Sequence, residues 1–127
     1  TSYSELEKNA KSVLRQNTLS PANKKQNYLQ QLISNDDPII ATSDYVRAYS
    51  QLISSHINNK FLAMGTDGFG RSDTRKNLRD FFEVDSKHMV VSSLYTLYED
   101  KKVPLQTLEK AISKYNLNNN KNNPWEI

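Results

Sequence analysis

The residues of this 127-residue chain that could do chemistry crowd into one stretch. Residues 65–82 read GTDGFGRSDTRKNLRDFF, and all three glycines of the chain, Gly65, Gly68 and Gly70, fall in its first six positions. Asp67 and Asp73 flank the last glycine, and Arg71, Arg75, Lys76 and Arg79 follow. A glycine-rich turn entering a basic helix has the ingredients of a phosphate or diphosphate site. Glycine lets the backbone approach an anion, and the free N–H groups of a helix start receive it. Two details count against that use. The spacing G-x-x-G-x-G is not the G-x-G-x-x-G of a dinucleotide site, and no Gly-Lys-Ser/Thr closes a P-loop. Asp73 also stands at the expected helix start, in the position an incoming anion would need. The pattern favours a structural corner, or contact with a partner chain, over a cofactor cradle.

Little else in the chain is equipped for catalysis. There is no cysteine, which excludes disulfides and thiolate metal sites and fits a reducing compartment. The two histidines, His56 and His88, are 32 positions apart, too few and too separate for a zinc cluster. His88 is expected at the third position of a helix capped by Asp85, as a partly exposed surface histidine rather than an acid or base. His56 is expected near a helix C-terminus, interacting with its dipole. The net charge of +3 is uneven: residues 1–35 hold five basic and two acidic side chains, and the remainder balances. A nucleic-acid face would be denser and interleaved with aromatics, so a solvated basic helix is expected instead. No run approaches the roughly 20 apolar residues that cross a bilayer.

The positioning elements follow from periodicity. Residues 2–16 carry Leu6, Ala10, Val13 and Leu14 at helical spacing, with Ser4–Glu7 or Ser2–Glu5 as a capping box. Pro21 breaks that pattern, and a short helix is expected through Tyr28, Leu29, Leu32 and Ile33, before a turn at 34–38. PIIAT (38–42) and KFLAMG (60–65) read as short strands buried on both faces, as in a parallel sheet. Between them, residues 43–57 read as a helix capped by Ser43, with Asp44 in its first turn and Val46, Tyr49, Leu52 and Ile53 inward. After the glycine loop, Ser72 or Asp73 is expected to cap a helix over about 74–82. Helices over 85–99 (Val90, Leu94, Leu97 and Tyr98 inward) and from Pro104 (Leu105, Leu108, Ala111 and Ile112 inward) complete the chain. The paired β-branched residues Val90 and Val91 do not outweigh the helical period there. Residues 115–127 are an Asn-rich tail in which Trp125 and Ile127 are expected to dock on a neighbour. The sum is a single α/β domain. Two strands do not make a stable sheet, so the expectation is a C-terminal fragment whose first strand and helix precede Thr1.

GTDGFGRSDTRKNLRDFFEVD (65–85), preceded by ATSDYVRAY (41–49), closely resembles the C-terminal domain of the homodimeric bacterial pyruvate dehydrogenases. TSYSELEKNAK (1–11) and LEKAISKYNLNNNKNNP (108–124) resemble the same domain in the right order, so the likeness covers essentially the whole chain. It implies a transketolase C-terminal-like fold, three α/β/α layers around a five-stranded mixed sheet in which PIIAT and KFLAMG are later strands. It also implies that the whole enzyme decarboxylates pyruvate and reductively acetylates the lipoyl group of an acyltransferase component. Thiamine diphosphate and Mg²⁺ are implied for the full enzyme, held by earlier domains through a Gly-Asp-Gly…Asn-Asn motif.

That motif is not met here. GTDG at 65–68 carries an inserted Thr66, and the Asn118–Asn119 pair lies too far downstream. The resemblance thus implies no catalytic, cofactor-binding or metal residue in this chain, and no cofactor bound by it. Its expected task is structural and dimer-forming, with partners in the rest of its own chain, a second protomer and the acyltransferase component, in a bacterial cytoplasm, without nucleic acid or membrane. The interface loop would comprise Gly65, Thr66, Asp67, Gly68, Phe69, Gly70, Arg71, Ser72, Asp73 and Arg75. Asp67, Arg71, Asp73 and Arg75 would form a polar network, the three glycines would shape the turn, and Phe69 would anchor on a neighbour. Two alternatives are the same domain of another transketolase-type thiamine enzyme, and a free-standing basic module that binds RNA or an acidic partner.

Overall fold

A computed structural model of the chain describes residues 2–117 and 120–126. The expectations for Ile127 and for Asn118–Asn119 lie outside those residues. The order of elements is α1 (Tyr3–Leu19), α2 (Tyr28–Leu32), β1 (Ile39–Thr42), α3 (Arg47–Gln51), β2 (Phe61–Met64), α4 (Arg75–Phe81), α5 (Ser86–Glu99) and α6 (Leu105–Tyr115). Single 3₁₀ turns lie at Pro21–Asn23, Ser54–His56 and Pro124–Glu126.

β1 and β2 pair in parallel, with Ile39 opposite Phe61, Ile40 opposite Leu62, Ala41 opposite Ala63 and Thr42 opposite Met64. Among the described residues these are the two strands of the sheet. Ile39 and Phe61 pack on a core of Leu29, Ile53 and Ile57, joined by Tyr3, Leu6 and Ile33. Side chains alternate across a strand, so Ile40 and Leu62 face the other way. α5 touches both strands, and α6 packs on α5. The result is a βαβ unit with helices, consistent with the α/β expectation. Full burial of both strands is corrected. Ile39, Ile40, Phe61 and Leu62 are half-buried and Thr42 is exposed, because a two-stranded ladder has no flanking strands to cover it.

The helix starts depart from the sequence expectations in instructive ways. α1 begins at an N-cap Ser2 that accepts no backbone N–H; its Oγ meets Ser4 Oγ at 2.7 Å. Neither proposed capping box forms there. Glu5 and Glu7 instead pair with Lys8 at 2.9 Å and Lys11 at 2.8 Å, one helical turn on. A capping box does form at α2, between Asn27 and Gln30, and the Asn27 amide also donates to His56 O. On α1, Ala10 is buried while Leu14 is exposed. Likewise Val90 on α5 and Leu105 on α6 are exposed, while Thr96 and Leu108 are the buried residues of those helices. The 43–57 helix is cut to Arg47–Gln51 plus the 3₁₀ turn Ser54–His56. Ser43 does not cap it: its hydroxyl accepts from Tyr45 N–H at 2.9 Å, a local turn. His56 lies in that 3₁₀ turn, where its carbonyl accepts from Asn27, rather than at an α-helix C-terminus.

Candidate functional site: the corner beyond the strands

The chain leaves both parallel strands at the same end, which in open α/β sheets is where ligands and partners are met. Two loops, 43–46 and 65–74, form that end. They continue the ladder beyond the strands: Ser43 N–H donates to Met64 O at 3.0 Å and Thr66 N–H to Tyr45 O at 2.9 Å. Thr66 Oγ1 donates to Asp44 O at 2.9 Å. Gly65 is buried at the closest approach. A Cβ there would lie 2.4 Å from Tyr45 O and 2.8 Å from Arg47 N, both backbone, so no larger residue fits.

Asp67 is the centre of the corner. Its Oδ1 accepts the N–H of Arg47, the first residue of α3, at 2.9 Å. Its Oδ2 lies 3.3 Å from Arg47 Nε. α3 begins at Val46, whose side chain cannot cap, so a carboxylate twenty residues downstream takes the place of an N-cap. The Arg47 guanidinium then lies 5.2 Å from the ring centre of Trp125. Gly68, at φ +108°, turns the loop against Pro124 and Trp125; a Cβ would stand 2.7 Å from Pro124 O. Trp125 therefore docks within its own chain. Lys121 adds a second tie, donating to Asp80 O at 2.8 Å.

The rest of the loop separates. Arg71 stacks over Phe81 at 3.9 Å. Asp73 accepts from Thr74 N–H at 2.6 Å and from the Asn77 amide at 2.9 Å, and these bonds hold its pKa below the ordinary carboxylate value. Thr74, not Ser72 or Asp73, is the N-cap of α4, accepting from Asn77 N–H. Arg75 makes no ion pair among the described residues. The expected Asp67–Arg71–Asp73–Arg75 network is thus not formed, because each acid is taken by a closer backbone donor. Two of the three glycines are required for the turn; Gly70 has open space around its Cβ position. Phe69 is 73% exposed.

Both oxygens of Asp67 face Arg47, so that carboxylate is taken, while Asp73 holds Thr74 and Asn77 through Oδ1. A second grouping, Asp80, Asp85 and His88, offers donor atoms within 4.8 Å of one another. Several of its atoms already have partners. Asp85 Oδ1 caps α5 by accepting His88 N–H at 3.0 Å and meets His88 Nδ1 at 2.6 Å. Asp80 Oδ2 lies 3.4 Å from the Lys121 ammonium. Burial disfavours the charge on Asp85, but the His88 hydrogen bonds and the nearby His88 and Lys87 charges outweigh it and lower its pKa. His88 stands at the third helical position, partly exposed, as expected.

Comparison with known proteins places this geometry. Residues 1–85 match the family described as the transketolase-like TK C-terminal domain. The pyruvate dehydrogenase E1 component of Cupriavidus necator is 38% identical over 99% of the chain. That of Buchnera aphidicola is 40% identical over 98%, and that of Escherichia coli 35% over 98%. In each case the chain spans about 14% of the relative's length. No described helix is long and apolar enough to cross a membrane.

Proposed function

This chain belongs to the transketolase-like TK C-terminal domain family and is homologous to the C-terminal region of pyruvate dehydrogenase E1 components, and from that premise we propose its role. It is the structural and dimer-forming C-terminal domain of an acetyl-transferring pyruvate dehydrogenase. The whole enzyme decarboxylates pyruvate and passes the acetyl group to the lipoyl group of an acyltransferase component in the bacterial cytoplasm. The observation that carries this reading is identity of 35% or more to such enzymes along 98–99% of the chain. These relatives favour neither alternative, the other thiamine enzyme nor the basic RNA-binding module.

In this reading the hard chemistry belongs to thiamine diphosphate and Mg²⁺ on the enzyme's other domains. This domain contributes no group to the reacting atoms. It stiffens the protomer through the Asp67–Arg47 junction and presents the 65–75 loop, with exposed Phe69, to a neighbouring domain or subunit. The test is calorimetric titration of thiamine diphosphate with Mg²⁺ into the separate domain and into the full-length enzyme, alongside an assay for pyruvate-dependent acetylation of lipoyl groups. Cofactor binding and activity are expected in the full-length enzyme alone. Saturable binding by the domain, or an inactive but fully loaded enzyme, would refute the assignment.

A further inference from the structure

We propose that the cleft between the 68–71 loop and α4 is a docking site for an acidic peptide segment of a partner protein. The cleft holds about 460 Å³, within the range of pockets that seat a ligand or a few side chains. Its charged wall is Arg71, Arg75 and Arg79, and its apolar surface includes Phe69, Leu78 and Phe82. Arg75 and Arg79 are four apart on α4 and so share a face, where like charges repel by a few tenths of a kcal/mol.

Among the described residues no ion pair relieves that repulsion. Every other pairing among the described residues uses a lysine, Arg47 or His88, and none of these three arginines takes part. The nearby Asp73 bonds Thr74 and Asn77 and pairs with none of the three. The Arg71 guanidinium lies 3.9 Å from the ring centre of Phe81, a contact that uses none of its N–H donors. Guanidinium groups presented in this way match carboxylates bidentately.

The occupant follows from charge complementarity. Asp44 and Asp73 also line the cleft; set against Arg71, Arg75 and Arg79 they leave one positive charge in excess, which matches a segment carrying one or two carboxylates better than a polyphosphate backbone. The apolar surface beside the arginines instead suits a segment in which acidic and aliphatic residues alternate. The inference rests on the proposed function only in taking the 65–75 loop as an interface, and it specifies the chemistry of what binds there.

The probe is a fluorescently labelled peptide alternating Glu and Leu, with the Gln/Leu peptide as control, titrated into the full-length protein by anisotropy. Saturable, salt-sensitive binding is expected for the Glu peptide. It should weaken about tenfold or more in the Arg75→Gln/Arg79→Gln double variant, because each lost charge-assisted contact is of that order. Equal binding of the two peptides, equal binding by the variant, or no saturable binding would overturn the proposal. So would displacement by inorganic phosphate or a single-stranded oligonucleotide more readily than by unlabelled Glu peptide. Light scattering on the same samples separates the two readings. A variant that falls to monomers, with no peptide binding by the parent, makes the cleft a subunit contact: the proposed function stands and this inference fails. Peptide binding by a protein that is monomeric throughout supports this inference and removes the dimer role.

Discussion

Asp67 shows how much one side chain in this fold carries. It satisfies the leading N–H of α3 and faces the Arg47 side chain. Removing it leaves a half-buried guanidinium without its counter-charge and a helix start without its acceptor. Asp67→Ala is expected to destabilise the protein by about 1–3 kcal/mol, measured by urea unfolding. Under the proposed function, the cofactor affinity of the full-length protein should be nearly unchanged; a large loss of affinity at unchanged stability would contradict the structural role. Asp85 supplies a pH-dependent counterpart. Its pKa is lowered in the folded chain from the ordinary 3.8, so the unfolded chain takes up the proton first as pH falls. The stabilisation is complete above the ordinary value and is lost as pH falls through the lower folded value. Asp85→Asn keeps a capping oxygen but no titrating charge. It should flatten the acid limb of stability below about pH 4, read from melting temperature against pH.

At the scale of elements, the sequence placed the helices and the Asp85 cap of α5, but not the caps of α1, α3 and α4. The 3.6-residue period located most of the described helices, but the capping residue depends on the path by which the loop arrives. Ser72, Asp73 and Thr74 are all good N-cap types in succession, and only the turn after Gly70 decides that Thr74 takes the position. Thr74→Ala is therefore expected to cost about 1 kcal/mol, while exposed Ser72→Ala should stay within about 0.5 kcal/mol. A paired urea titration checks the contrast; equal effects would mean that the cap is shared. For α3 the sequence pointed to Ser43, a sound local choice. Ser43 instead closes a turn on Tyr45, and the acceptor comes from beyond β2. No local window contains that information.

At the scale of the molecule, the tail is part of the corner. Gly68 holds φ +108° against Pro124 and Trp125, and the tail's Lys121 reaches Asp80. Gly68→Ala combines an unfavourable φ with a backbone clash, at a cost of roughly 1–3 kcal/mol. Trp125 is the single tryptophan of the chain, so its fluorescence reports the same event. Gly68→Ala should shift that emission to the red and lower the melting temperature, while Gly70→Ala should do neither. An unchanged emission in Gly68→Ala would show that the tail does not rest on the loop. The sequence by itself determined what short-range pattern encodes: two apolar strands, helices at their period, the Asp85 cap, and, through residues 65–85, the family. Tertiary structure alone decided which partner each polar group takes. Asp67 goes to Arg47 rather than to Arg71, Trp125 goes to the chain's own corner, and Arg71, Arg75 and Arg79 make no ion pair among the described residues. The physical reason is that periodicity records which face of an element is apolar, whereas a hydrogen bond across twenty or more residues exists only once the parallel strands bring their ends together.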